Sequence, residues 1–71
     1  MDKADKDAKL AQLDYVMAQF GQHGGWLHRD LKERIRDGRC AGWYVDRRVP
    51  NATALRRALR PIMNDSGRAT R

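Results

Sequence analysis

Val49-Pro50-Asn51-Ala52-Thr53-Ala54-Leu55-Arg56-Arg57-Ala58-Leu59-Arg60 is the stretch whose reading settles the fold class. Proline ends an extended approach, and the Asn51 side chain is of the type that accepts from an orphan backbone N–H at a helix start. At about 100° per residue, Ala52, Leu55, Ala58, Leu59 and Ile62 fall on one side of the helix that follows. Thr53, Arg56, Arg57 and Arg60 fall in a narrow stripe on the other. The exposed positions include no acid to pair with these arginines. A short helix with an apolar back and a cationic front is expected, and its front is the chain's expected working surface.

Working outward, Pro61 removes one N–H and disfavours helical geometry at Arg60, so the helix should stop or kink there. Ile62 and Met63 then reach the core in a loose final turn. Residues 64–71, Asn-Asp-Ser-Gly-Arg-Ala-Thr-Arg, read as a disordered, mildly basic tail. On the other side, Trp43, Val45 and Val49 alternate with Tyr44, Asp46 and Arg48, which is a short-strand pattern. No second strand is evident, so three arrangements stay open for 39–49: a tight hairpin around Gly42, pairing with another subunit, or an extended course over the helices. Trp43 and Tyr44 beside Arg47 and Arg48 make either an interface patch or, for Trp43, a piece of the core.

Two more helices precede this region. Over residues 2–20, Leu10, Leu13, Met17 and Phe20, with Val16 beside them, keep the spacing of a buried stripe, and Lys9, Gln12, Asp14 and Gln19 lie outside it. Residues 1–6 have nothing apolar to anchor them and are expected to fray. Over 28–37, Leu27, Leu31 and Ile35 form a buried line that ends at Gly38, a C′ residue. Between these helices, Gly21-Gln22-His23-Gly24-Gly25 is a turn. It lacks the lysine and the preceding strand of a phosphate-binding loop. Trp26 is expected to pack against the first helix rather than stack on a base. The fold class that follows is mainly α: one three-helix domain over residues 1–63, with the short strand or hairpin between helices 2 and 3.

Composition narrows the function. Nineteen large apolar or aromatic residues in 71 suffice for one thin core. Cys40 is the sole cysteine, so no intrachain disulfide supplements that core, and a reducing cytoplasm is the expected setting. No apolar run approaches the roughly 20 residues that span a bilayer, so no membrane partner is expected. Net charge is +6, and residues 46–71 carry seven Arg against Asp46 and Asp65. Arginine suits bidentate contacts to phosphate or carboxylate. Nucleic acid is therefore the first partner to consider and an acidic protein surface the second. A coding bias towards arginine is the plain alternative. Catalysis is not expected: Asp30, Glu33 and Asp37 sit among arginines, and Cys40 has no evident base. No metal or other cofactor is expected either, because His23, His28 and Cys40 match no common zinc spacing and lack a fourth ligand.

The order of elements resembles the three helices of helix-turn-helix regulators, the winged-helix members included. The resemblance rests on Leu10 to Phe20, then Trp26-Leu27-His28-Arg29-Asp30-Leu31-Lys32-Glu33-Arg34-Ile35, then Ala52 to Arg60, about half the chain. It implies that Thr53, Arg56, Arg57 and Arg60 face DNA, with the helix N-terminus near phosphates. The connection from Gly38 to Pro50 is longer than that motif uses, and no wing hairpin follows the last helix. The expected function is a small basic DNA-binding transcription regulator of phage or plasmid type, as a monomer or homodimer, with Arg47 and Arg48 adding to the cationic surface. The alternative is a small phage-type modulator that docks on host RNA polymerase, or another nucleic-acid machine, through its basic helix and Trp43-Tyr44.

Overall fold

The structure, a computed structural model, describes residues 3–64 and comprises three helices: α1 (Lys3–Gln19), α2 (Trp26–Asp37) and α3 (Ala52–Met63). No strand occurs among the described residues. The tail expected over 64–71 lies outside them beyond Asn64. Both α2 and α3 pack on α1 and make much less contact with each other, so α1 is the hub. The core takes Leu13 and Met17 from α1, Leu27, Leu31 and Ile35 from α2, and Leu55, Leu59, Ile62 and Met63 from α3, with Val49 closing one side. Leu10, Val16 and Phe20 pack around its edge. At roughly 1.5–3 kcal/mol per fully buried large side chain, these ten residues supply the main drive to fold.

Helical periodicity placed the core faces correctly but missed two polar residues that lie against them. Lys9, expected outside the stripe of α1, is buried, and its Nζ donates to the Ile62 carbonyl at 3.3 Å. One turn earlier, Lys6 Nζ donates to the Arg36 carbonyl at 2.8 Å. Two α1 lysines thus reach the C-terminal carbonyls of α3 and α2, the ends where a cation is favoured. A long apolar stem lets Lys9 lie along the core while its ammonium reaches a carbonyl.

The end of α2 is as expected. Gly38 sits at φ 69°, ψ 25°, its N–H donates to the Ile35 carbonyl, and Arg39 N–H donates to the Arg34 carbonyl. This is the Schellman pattern, and it needs the left-handed conformation that glycine adopts without strain. The start of α2 lies two residues earlier than expected, at Trp26.

One choice left open after α2 is narrowed, and two expectations for α3 need correction. The 39–49 segment is not a strand or hairpin. Its inward side follows the alternation, with Val49 buried and Trp43 and Val45 half-buried; on the other side Tyr44 and Arg48 are exposed but Asp46 is half-buried. Without a partner strand, turns and side chains hold it instead. Trp43 N–H donates to the Cys40 carbonyl, and Val49 N–H to the Asp46 carbonyl. Arg34 Nη1 reaches the Ala41 carbonyl at 3.0 Å, and Trp43 Nε1 donates to Asn64 Oδ1 at 2.7 Å.

Asn51 precedes α3, but its side chain makes no cap. The residue sits at φ 57°, ψ 38°, and its contribution is the left-handed turn that asparagine tolerates. Finally, α3 does not stop at Arg60. It runs through Pro61, burying Ile62 and Met63, and Asn64 N–H donates to the Arg60 carbonyl at 2.8 Å. Proline so close to the helix end removes one hydrogen bond, and burial of two large side chains offsets that loss.

Candidate nucleic-acid interface

The exposed face of α3 is built as its sequence implies. With Leu55, Leu59, Ile62 and Met63 anchored inside, Thr53, Arg56, Arg57 and Arg60 are all exposed. Arg56 and Arg60 are i, i+4 neighbours and Arg57 and Arg60 are i, i+3, spacings at which like charges repel by a few tenths of a kcal/mol. No acid stands on α3 to relieve this. Among the described residues, the ion pairs of lysine and arginine are Lys3–Asp7, Arg34–Asp30, Arg39–Asp37 and Arg48–Asp46. Arg47, Arg56, Arg57 and Arg60 take part in none of them. The fold keeps an uncompensated cationic face, which an external anion would relieve.

Arg48 differs from the other cations. Its Nη2 lies 3.2 Å from Asp46 Oδ2, while its backbone N–H donates to Asp46 Oδ1 at 2.9 Å. The hydrogen bond from the Arg48 side chain, then that from its backbone, hold the Asp46 carboxyl below its usual range, and Asp46 in turn raises Arg48. Half of the expected Arg47–Arg48 pair is therefore engaged within the chain, and Arg47 is the exposed cation that remains. Trp43 and Tyr44 also separate. Trp43 turns inward to the core and Asn64, whereas Tyr44 is 63 % exposed.

Tyr44 instead faces a cleft shared with Trp26, which is 56 % exposed and stands outside the core cluster. Gln22, Asp46, Arg48, Val49 and Pro50 complete the lining. The sequence held a signal for Trp26: Leu27, Leu31 and Ile35 define the buried line of α2, and Trp26 is 100° out of phase with it.

Of the two histidines, His23 is exposed in the turn, whereas His28 is not free. His28 is 2 % exposed, and its Nδ1 accepts the Gly24 N–H at 2.9 Å. That acceptor role places the ring proton on Nε2, which lies 2.6 Å from Asp14 Oδ1. Gly24 adopts φ 82°, a conformation that disfavours other residues. His23 lies alongside, with its ring centroid 4.6 Å from that of His28. Asp14, His23 and His28 thus cluster, and Cys40 is not among them. In this tautomer both His28 nitrogens are committed to the turn and to α1, so the group acts as a structural tie. Burial, opposed by the charges of Lys9 and Arg34, pushes the Cys40 thiol up and keeps it protonated.

No helix among the described residues is long and apolar enough to cross a membrane. Comparison with protein-family models, curated proteins and solved structures gives no match for this chain.

Proposed function

We propose that the chain is a small DNA-binding regulator of transcription, of phage or plasmid type, that works in the cytoplasm and engages phosphates through the exposed face of α3. The observation that carries this reading is the unpaired cationic face of Thr53, Arg56, Arg57 and Arg60, in a molecule whose other helices balance more of their charge internally. Arginine presents a planar fork of donors to phosphate oxygens, and Arg47 lies in the segment leading into the same helix. The first turn of α3 carries no acid and no side-chain cap, so its positive end is also available to an anion. The role is binding, with no catalytic step assigned.

Titration of generic duplex DNA at two salt concentrations tests this. With three or four phosphate contacts, affinity should fall roughly 40–150-fold over a fourfold rise in salt. Replacing Arg56 and Arg57 together with Gln should abolish binding and leave the helical circular dichroism unchanged. Affinity insensitive to both changes would sink the proposal. A protein partner that survives nuclease treatment, with no DNA affinity at moderate salt, would put an acidic surface such as host transcription machinery in its place.

A further inference from the structure

The Trp26–Tyr44 cleft combines three features that the cationic face of α3 does not explain. First, it holds two of the three large hydrophobic side chains that stand most exposed among the described residues; the third, Tyr15, is on α1 and lines no part of it. The two rings are not in contact, since the one ring pair in contact among the described residues is His23–His28. Two large aromatics that line one cleft without packing on each other leave more than half of each side chain to be covered by something else.

Second, two helices begin at the rim of this cleft. Trp26 is the first residue of α2, and Val49 and Pro50 lead into α3. Neither helix has a side-chain N-cap or an acid in its first turn. Caps stabilise a helix by about 0.5–2 kcal/mol, and Asn51 is a strong capping type whose side chain is not used. Neither positive helix end has an acid of its own helix beside it, and both lie at the same cleft as the aromatics.

Third, the polar lining suits a flat, hydrogen-bonding guest. Gln22 offers an amide donor and an acceptor from the side of the first turn. The one carboxylate, Asp46, is held by the Arg48 backbone N–H and guanidinium, which offsets its charge.

We infer that this cleft takes an unpaired nucleotide, with its base stacked between Trp26 and Tyr44 and its phosphate at the starts of α2 and α3. Stacking on aromatic side chains tolerates any base, and an already unpaired base costs least to draw out of a duplex stack. The inference rests on the nucleic-acid reading of α3 and sharpens its target. At 1.5 Å per residue, Arg57 stands about 10 Å along the helix from Pro50, so the arginines can hold the neighbouring phosphates of the same strand. The preferred ligand is DNA carrying an unpaired base beside duplex, rather than intact duplex.

The test compares an intact duplex with the same duplex carrying one bulged thymine, following both affinity and tryptophan emission. The bulged duplex should bind roughly tenfold tighter and quench emission. In the Trp26→Phe protein, which retains Trp43 as its one tryptophan, the quench should vanish while most of the affinity remains, because phenylalanine still stacks. Trp26→Ala and Tyr44→Ala should each bring the bulged duplex down to the affinity of the intact one. Both side chains are exposed, so neither truncation opens the core. The Arg56→Gln, Arg57→Gln pair should weaken both ligands alike.

Equal affinities, unchanged emission and silent alanine variants, with the arginine pair still required, would overturn the cleft inference and leave the α3 reading intact. Absence of binding to either DNA would overturn both. A proline-rich peptide that quenches Trp26 where the bulged duplex does not would assign the aromatics to a protein ligand and also overturn the inference.

Discussion

A buried imidazole is stable only when both of its nitrogens find partners, and His28 finds them on two different elements. Gly24 N–H fixes the tautomer, and Asp14 accepts the remaining proton, so one ring locks the α1–α2 turn to the flank of α1. Asp14→Ala leaves the Nε2–H of a 2 % exposed ring without its acceptor and should destabilise the protein by about 1–2 kcal/mol. Asp14→Asn keeps a carbonyl oxygen at that place and should recover most of the loss; urea unfolding of the two variants measures the difference. Asp46 supplies a pH-dependent counterpart. Its folded carboxyl lies below the usual value, so the stabilisation from Arg48 is fully present above the unfolded carboxyl's range and is lost as pH falls through the lower, folded value. The carboxyl carbon shift of Asp46 should therefore titrate at lower pH than those of ordinary surface aspartates. Arg48→Ala should return it towards them, and an unchanged midpoint in that variant would show that Arg48 is not the cause.

At the scale of elements, the helices and their core faces were legible because a period of 3.6 leaves a repeated mark, as in Leu27, Leu31 and Ile35 or Leu55, Leu59 and Ile62. The cationic front of α3 could be read by the same geometry. Lys9 and His28 were not legible, because periodicity sorts residues by polarity. A lysine whose ammonium reaches a helix end, or a histidine with two partners, contradicts its own polarity only once the tertiary partner is known. The cleft was hidden for a related reason: Trp26 and Tyr44 are 18 positions apart and belong to segments that local patterns treat separately. Pro61 illustrates tertiary packing overriding local preference. It has no N–H to donate to the Arg57 carbonyl, while Ile62 and Met63 beyond it are buried. Pro61→Ala should restore that bond, raising stability by about 1–2 kcal/mol after the greater freedom of the unfolded chain is counted against it. Thermal melts followed at the helical band would show a higher midpoint, and a lower one would mean that the proline ring itself packs usefully between α1 and α3.

The whole molecule stands or falls on α1. Since α2 and α3 touch each other little, the core is two helix pairs that share one member, and neither pair is large enough to persist alone. Domains of this size hold about 3–5 kcal/mol of net stability. Leu13 is fully buried near the middle of α1, the helix on which both others pack. Leu13→Ala removes its methyl groups and leaves a cavity, a change that costs about 2–5 kcal/mol in comparable cores. The variant should thus be largely unfolded at 25 °C, with helical circular dichroism and Trp43 fluorescence lost in one coincident transition when denaturant is added to any folded remainder. Leu59→Ala makes a similar cavity from the side of α3 and serves as the comparison. Because α2 has no independent support, its helix should be lost at the same denaturant concentration as α3 in that variant too. A stage at which the α1–α2 hairpin outlives α3, seen in a Trp26→Phe background as a Trp43 signal that disappears before the helical signal does, would show that the hub carries two separable halves instead of one cooperative core.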